Sequence, residues 1–257
     1  MKKQAPFSWS YSAMSLFNQC ALRYALQHVD RVPYTRVENT FAERGIQVHS
    51  FAEDYVNGKT EVLAADLQKF KPMFNAARRE FKKGLACVEQ EWGFNRNWEP
   101  VDYKQGWVRM LADLVVFKRD KSQVVIVDYK TGKRWGNELK HGEQGMLYVA
   151  AAAIRNPEAK RFDFELWYVD LNDLVPYSYT RNDAMDFKKL FDERAADMEA
   201  CVFDRNFPPT PSVQNCKYCP FARTEHCGVA QFAVSADQTA AINAQELTIE
   251  QLMGLNK

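Results

Sequence analysis

The sequence predicts an α/β protein, and three observations predict it. Val124-Val125-Ile126-Val127 is a run of four apolar residues, the pattern of a strand covered on both faces rather than one alternating with solvent. Trp107 to Lys118 is a second run rich in β-branched and aromatic residues, and Arg119-Asp120-Lys121-Ser122 between the two is a polar break that suits a hairpin. Helical stretches lie on either side of these strands, the plainest being His141 to Ile154 with its four consecutive alanines.

Taken in order, a first helix is expected from Ser10 or Ser12 to about His28. A second runs over roughly Phe41 to Asn57, stopped by Gly58. A third helical stretch runs from about Ala64 to Lys83, its start perturbed by Pro72. Strands follow near Cys87–Phe94, Trp107–Lys118 and Val124–Tyr129, then the helix over 141–154, a strand near Phe162–Val169 and a helix from Asp183 to Val202. Phe207-Pro208-Pro209-Thr210-Pro211 reads as a stiff extended connector into a cluster of cysteines, and the tail from Val229 onward is low in aromatics. The expected division is a core over 1–210, a cysteine cluster over 211–228 packed against the N-terminal helix, and a tail over 229–257.

The 257 residues suffice for one substantial core with a small appendage, and 26% charged with 46% hydrophobic residues is ordinary globular composition. A net charge of +1 gives no global basic signature, so a nucleic-acid surface would be a local patch. No segment approaches the ~20 consecutive apolar residues of a membrane span. Lys2-Lys3 precede Phe7-Ser8-Trp9-Ser10, which is too polar for a signal-peptide core, so a cytoplasmic location is expected. In that setting six cysteines point to metal binding or buried thiols rather than disulfides. Cys87 and Cys201, in structured segments, read as buried small hydrophobes.

The chemistry concentrates where the apolar strand ends. Asp128 and Lys130 are two apart and share a face, and burying an acid and a base at one spot is costly unless chemistry happens there. A two-residue hairpin loop at Asp120-Lys121 and a four-residue loop from Arg119 to Ser122 have the same centre, and either sets Asp113 directly opposite Asp128. Cross-strand carboxylates with Cβ atoms roughly 5 Å apart repel. A divalent cation between them turns that repulsion into binding, with Lys130 free to hold an attacking water or steady developing charge. On the first strand Glu89 and Glu91 share a face, so that one is a candidate outer acid, a solvent-facing edge being the alternative. In the second helix Phe41, Gly45, Val48, His49, Ala52, Tyr55 and Val56 form a stripe that turns His49 inward, the position of an ordinary core histidine. Gln144 and Tyr148 are neighbours on one helix face. Lys130, Lys133, Arg134, Trp135 and Lys140 form a basic stretch with an aromatic, a mixture that suits phosphate contact with one stacking side chain.

Asp113 followed by Asp128-Tyr129-Lys130-Thr131-Gly132-Lys133 resembles the PD-(D/E)XK nuclease superfamily, specifically its RecB-like branch. Gly45-x-x-x-His49, Gln144-x-x-x-Tyr148 and the cysteines stand in the order that branch has. The resemblance implies a three-layer α-β-α core around a central mixed β-sheet, restriction-endonuclease-like, with a small cysteine-cluster appendage. It implies that Asp113, Asp128 and Lys130 are catalytic, and that His49, Asp113, Asp128 and the Tyr129 carbonyl bind Mg²⁺ or Mn²⁺. Gln144, Tyr148, Lys133 and Arg134 would position the substrate. Cys20 with the trio Cys216, Cys219 and Cys227 would hold a [4Fe–4S] cluster. Two departures stand out. The seven residues between Cys219 and Cys227 exceed the usual gap, which keeps His226 and Zn²⁺ as an alternative ligand and metal. Met110 replaces a glycine often found three residues before the first catalytic Asp.

The implied activity is metal-dependent hydrolysis of DNA at ends or on single strands, in replication, recombination or repair. A helicase or another replication or recombination protein would be the partner, in a bacterial cytoplasm or, for a phage-encoded protein, that of the host. Two alternatives use the same residues. One is a non-catalytic DNA-binding or recombination-accessory protein with a structural metal cluster, against which the intact acids argue. The other is an interaction module with zinc on Cys216, Cys219, His226 and Cys227.

Overall fold

The computed structural model describes residues 7–34, 40–132, 134–222 and 224–228; the tail expected from Val229 and the side chain of Lys133 lie outside the described residues. The helical N-terminal part begins with α1 (Tyr11–Gln19) and α2 (Ala21–Tyr24), which continues as a π turn over Ala25–Val29. The single helix expected up to His28 is thus broken, and the break is Cys20, whose backbone is extended at φ −163° and ψ 107°. α3 (Thr40–Val56) follows, then a 3₁₀ turn over Ala65–Phe70 and α4 (Lys71–Lys82). Pro72 lies in the first turn of α4, where its missing N–H costs no intrahelical bond, so it starts the helix instead of disturbing it.

Six strands make one sheet: β1 (Ala86–Phe94), β2 (Pro100–Val101), β3 (Val108–Phe117), β4 (Gln123–Lys130), β5 (Arg161–Tyr168) and β6 (Asp173–Thr180), in the order β2-β1-β3-β4-β5-β6. All neighbours are antiparallel except β4 and β5, so the sheet is mixed. α5 (Glu138–Arg155) makes the crossover between the two parallel strands, and α6 (Arg181–Asp204) and α7 (Val213–Lys217) complete the chain. Besides the two-residue β2, sequence patterning misses β6. It carries Pro176, which demotes a run in any strand reading, and only its place at the sheet edge accommodates a residue with no N–H.

Alternation along β4 sorts the layers. Val127 and Tyr129 enter a cluster with Val48, Ala52 and Tyr55 of α3 and Phe74 and Ala77 of α4, where the Phe74 ring meets Tyr129 at 5.4 Å and Trp167 at 5.3 Å. Ile126 pairs with Phe164, whose ring lies beneath Gly145 of α5 on the other face. Helices therefore cover both faces of a mixed sheet, the restriction-endonuclease-like α/β arrangement.

The chain divides into two compact units, residues 1–11 with 38–197 and residues 12–37 with 198–257. In this division the N-terminal helical segment groups with the C-terminal residues, and a boundary falls within α6. The first unit carries the sheet and the second the cysteine cluster. Among the described residues no helix is long and apolar enough to cross a membrane.

Candidate active site

The hairpin between β3 and β4 sets the geometry. The N–H of Lys118 donates to the Gln123 carbonyl, closing the four-residue loop from Arg119 to Ser122. The ladder then runs from Phe117↔Val124 to Leu114↔Val127, a register whose next pair is Asp113 with Asp128. There the strands part. The Tyr129 N–H donates 2.8 Å to Asp113 Oδ2, so a side chain takes over a bond that the ladder would have made.

β1 adds a third acid by the same rule. Its pairs with β3 include Val88↔Leu114 and Gln90↔Ala112, which leaves Glu89 abreast of Asp113. The ladder lapses at that one pair, and Glu89 has φ +45°, a strained backbone for a residue with a side chain. Glu89, Asp113 and Asp128 thus stand in a lateral row across three adjacent strands. Glu91, the other candidate on β1, is exposed. Sequence alternation could not choose between the two; the lapse in the ladder does.

His49 reaches this row from α3. Its Nδ1 is 3.3 Å from Asp113 Oδ1 and 3.9 Å from Glu89 Oε1, and its Nε2 is 3.1 Å from the Tyr129 carbonyl oxygen. Gly45, one turn earlier, has only Thr131 Oγ1 near its missing side chain, at 3.5 Å. Burial alone would lower the His49 imidazole; Asp113, Asp128 and Glu89 together outweigh it and lift it to about 9. Glu89 moves up to about 7 through burial first and the Asp113 charge second, and burial likewise raises Asp128, with Lys130 opposing and Asp113 adding to the rise.

The donor set fits a divalent cation. Ligand atoms of His49, Glu89 and Asp113 all lie within 4.8 Å of one another, and Glu89 Oε1 is buried with no hydrogen-bond partner. Carboxylate oxygens joined by one imidazole suit Mg²⁺ or Mn²⁺, and an acidic cage that holds an extra proton on His49 is one that attracts positive charge.

Lys130 belongs to a separate relay. Its Nζ lies 2.5 Å from Asp128 Oδ2 and donates to Gln144 Oε1 at 2.9 Å. Gln144 Nε2 donates to the Tyr148 hydroxyl, also at 2.9 Å, and that hydroxyl donates to the Leu111 carbonyl at 2.8 Å. The relay anchors the ammonium to the backbone of β3 through two side chains of α5. Tyr129 offers the site its backbone N–H and carbonyl, while its ring alternates to the face covered by α3 and α4 and meets the His49 imidazole edge-on at 5.7 Å. Arg134, expected near the substrate, pairs with Asp173 on β6.

A clamp that no sequence pattern announces holds the loop after Lys130. Arg44 grips Asp170 with both guanidinium nitrogens at 2.7 and 2.6 Å, and Asp170 accepts the Gly132 N–H at 2.7 Å. The partners are 126 residues apart, too far for any spacing rule. Arg44 holds the Asp170 carboxyl below the usual carboxylate range, so the clamp's contribution to stability is complete above roughly pH 4 and is lost as pH falls through the lowered value. Replacing Arg44 by Ala is expected to lower kcat roughly tenfold with stability changed by only about 1 kcal/mol, because loop position suffers more than packing. Arg44→Lys should fail to restore the rate, having no bidentate fork. Steady-state kinetics beside a thermal melt check both.

In the second unit Cys20, Cys216, Cys219 and Cys227 line one small cavity together with Leu26, Pro209 and Phe221. Cys219 is pushed up by burial, the neighbouring thiols of Cys20 and Cys227 adding to the rise. The extended backbone at Cys20 is what interrupts the helix beside that cavity. His226, the alternative ligand, is exposed and does not line it. Cys87 and Cys201 are half-buried rather than core residues.

A search of curated protein sequences finds no match. Two solved structures are similar at low identity. SSO0001 is 12% identical, with a TM-score of 0.42, over 89% of this chain and 88% of that one. A candidate exonuclease from Eubacterium rectale is 14% identical, with a TM-score of 0.47, over 87% of each chain. The family description "PD-(D/E)XK nuclease superfamily" matches residues 8–224, a span that contains the acids, His49, Lys130 and three of the four clustered cysteines with the stretch leading to the last. The chain belongs to the PD-(D/E)XK nuclease superfamily.

Proposed function

We propose that the protein is a Mg²⁺- or Mn²⁺-dependent deoxyribonuclease that processes DNA ends or single strands in replication, recombination or repair. The observation that carries this reading is the lateral row Glu89–Asp113–Asp128 with Lys130 beside it, set where β3 and β4 part. The carboxylates of Glu89 and Asp113 and the His49 imidazole within reach of one point, with Asp128 next along the row, cannot be held cheaply without a cation, and Oε1 of Glu89 is buried without a hydrogen bond.

A divalent cation there would supply Lewis-acid stabilisation and an activated water. His49, Glu89, Asp113 and Asp128 would hold it. The Tyr129 carbonyl, which His49 Nε2 already meets, is a further oxygen on the same spot. Lys130, steadied by Gln144 and Tyr148, orients the attacking water and offsets charge that develops on the phosphoryl oxygens. A helicase or other replication or recombination protein is the proposed partner, and a bacterial or host cytoplasm the proposed setting.

Digestion of end-labelled linear DNA and of circular DNA by the purified protein tests the reading. Linear DNA should be degraded with Mg²⁺ or Mn²⁺ and spared in EDTA, and Asp113→Asn, which keeps an acceptor for the Tyr129 N–H, should be inactive. Equal activity of the variant would sink the assignment. Resistance of the circle would establish the need for an end.

The four cysteines are proposed to hold a [4Fe–4S] cluster, a reading supported by their shared cavity and by the outward position of His226. Anaerobically purified protein should show a broad band near ~400 nm, which zinc would not give. Cys20→Ser should lose iron; unchanged iron content would remove Cys20 from the ligand set.

A further inference from the structure

We propose that Trp135 is a stacking platform for an unpaired base of the DNA strand entering the active site. The proposal rests on the nuclease reading and sharpens it, because such a platform selects single-stranded or frayed DNA over intact duplex.

Trp135 sits at the corner of a defined turn. The Asn137 N–H donates to the Arg134 carbonyl at 3.0 Å, and Gly136 has φ +84°, the arrangement of a type II turn with Trp135 at its second position. The Gly136 N–H is held in turn by Glu138 Oε2 at 2.8 Å. An ordered backbone therefore displays the largest apolar side chain at an apex, where it is 78% exposed. Leu139, at the start of α5, is 88% exposed and extends the apolar surface. Side chains of this size are normally spent on the core, and displaying two of them on one short segment costs solvation that a ligand would recover.

The position points to the substrate strand. Lys130 pairs with Tyr168 across β4 and β5. Arg134 lies with its guanidinium carbon 6.0 Å from the Tyr168 ring and 5.5 Å from the Trp135 ring, so it bridges the two. A short series of contacts thus leads from the reacting lysine to the indole. Arg134 occupies one side of that indole and leaves most of the ring open. Lys140, one residue beyond Leu139, is exposed as well. An aromatic face beside Lys140 and the Asp173-paired Arg134 matches a base and its phosphates, whereas an apolar protein partner would gain little from the charges. In duplex DNA the base faces are already stacked on one another, so only an unpaired base can use the platform without an unstacking cost.

The test is equilibrium binding of the full chain to fluorescent oligonucleotides, with Ca²⁺ replacing Mg²⁺ to hold cleavage in check. Three ligands are compared: a single strand, the same strand with several abasic positions, and a blunt duplex. Wild-type protein should prefer the intact strand to both others. Trp135→Ala should bind that strand roughly tenfold more weakly and lose its preference over the abasic strand, while Trp135→Phe keeps both. Unchanged binding by Trp135→Ala, or equal wild-type affinity for intact and abasic strands, would overturn the proposal. Failure of the nuclease reading has a different signature. Wild-type protein would then leave DNA uncut with Mg²⁺ and Mn²⁺ while the differences among binding constants persist.

Discussion

Lys130→Ala is expected to lower kcat by about 10²–10³-fold and to leave the cation site at least as strong as before. The two halves of that result come from one position. The Lys130 ammonium is held by Asp128 on one side and Gln144 on the other, close to the row of acids without belonging to it. Removing it takes away a fixed positive charge next to developing negative charge on the phosphoryl group, which reduces the rate. It also removes a cation that competes for Asp128, so Mn²⁺ binding should be equal or tighter. Gln144→Ala should cost less, about tenfold, since the lysine keeps Asp128 as an anchor while losing its link to Tyr148. Rapid-quench kinetics and Mn²⁺ calorimetry on the same samples check the pair. A Lys130→Ala protein that bound Mn²⁺ weakly would instead place the lysine in the architecture of the metal site.

Gly145→Ala is expected to destabilise the protein by about 1–3 kcal/mol, a fall in Tm of several degrees for a chain of this size. A methyl group at Gly145 would overlap two ring carbons of Phe164, which is fully buried on β5 beneath α5, where dense packing resists its turning away. α5 must then shift, and Gln144 beside the new methyl group shifts with it. The variant should lose rate as well as stability, and Phe164→Leu in the Gly145→Ala background should recover part of both. A melt unchanged by Gly145→Ala would contradict the close helix–sheet contact on which the Lys130 relay depends.

The most demanding part of the site was legible in the sequence because it depends on local rules. The polar break at Arg119–Ser122 fixes the hairpin centre, and the observed bond from Lys118 to Gln123 gives the register that sets Asp113 abreast of Asp128. Alternation placed Lys130 on the Asp128 face and Tyr129 on the other. Features that depend on distant partners were not legible. Glu89 and Glu91 are equivalent by alternation, and they separate only where the β1–β3 ladder lapses and His49 approaches. The Arg44–Asp170–Gly132 clamp joins residues from three separate elements with no motif between them. β6 was hidden by Pro176, which an edge strand tolerates and a central one would not. The first helix was expected to be continuous because propensity cannot foresee the extended backbone of Cys20 beside the thiol-lined cavity.

The proposed function requires a cation held by the acid row and used in DNA cleavage. Calorimetric titration of Mn²⁺ into wild-type and Asp113→Asn protein, with DNA cleavage assayed on the same preparations and circular dichroism confirming that both are folded, tests this most directly. The account predicts that the single substitution removes Mn²⁺ binding at the site and cleavage together. Cleavage that survives in Asp113→Asn, or Mn²⁺ bound equally by the two proteins, would contradict it.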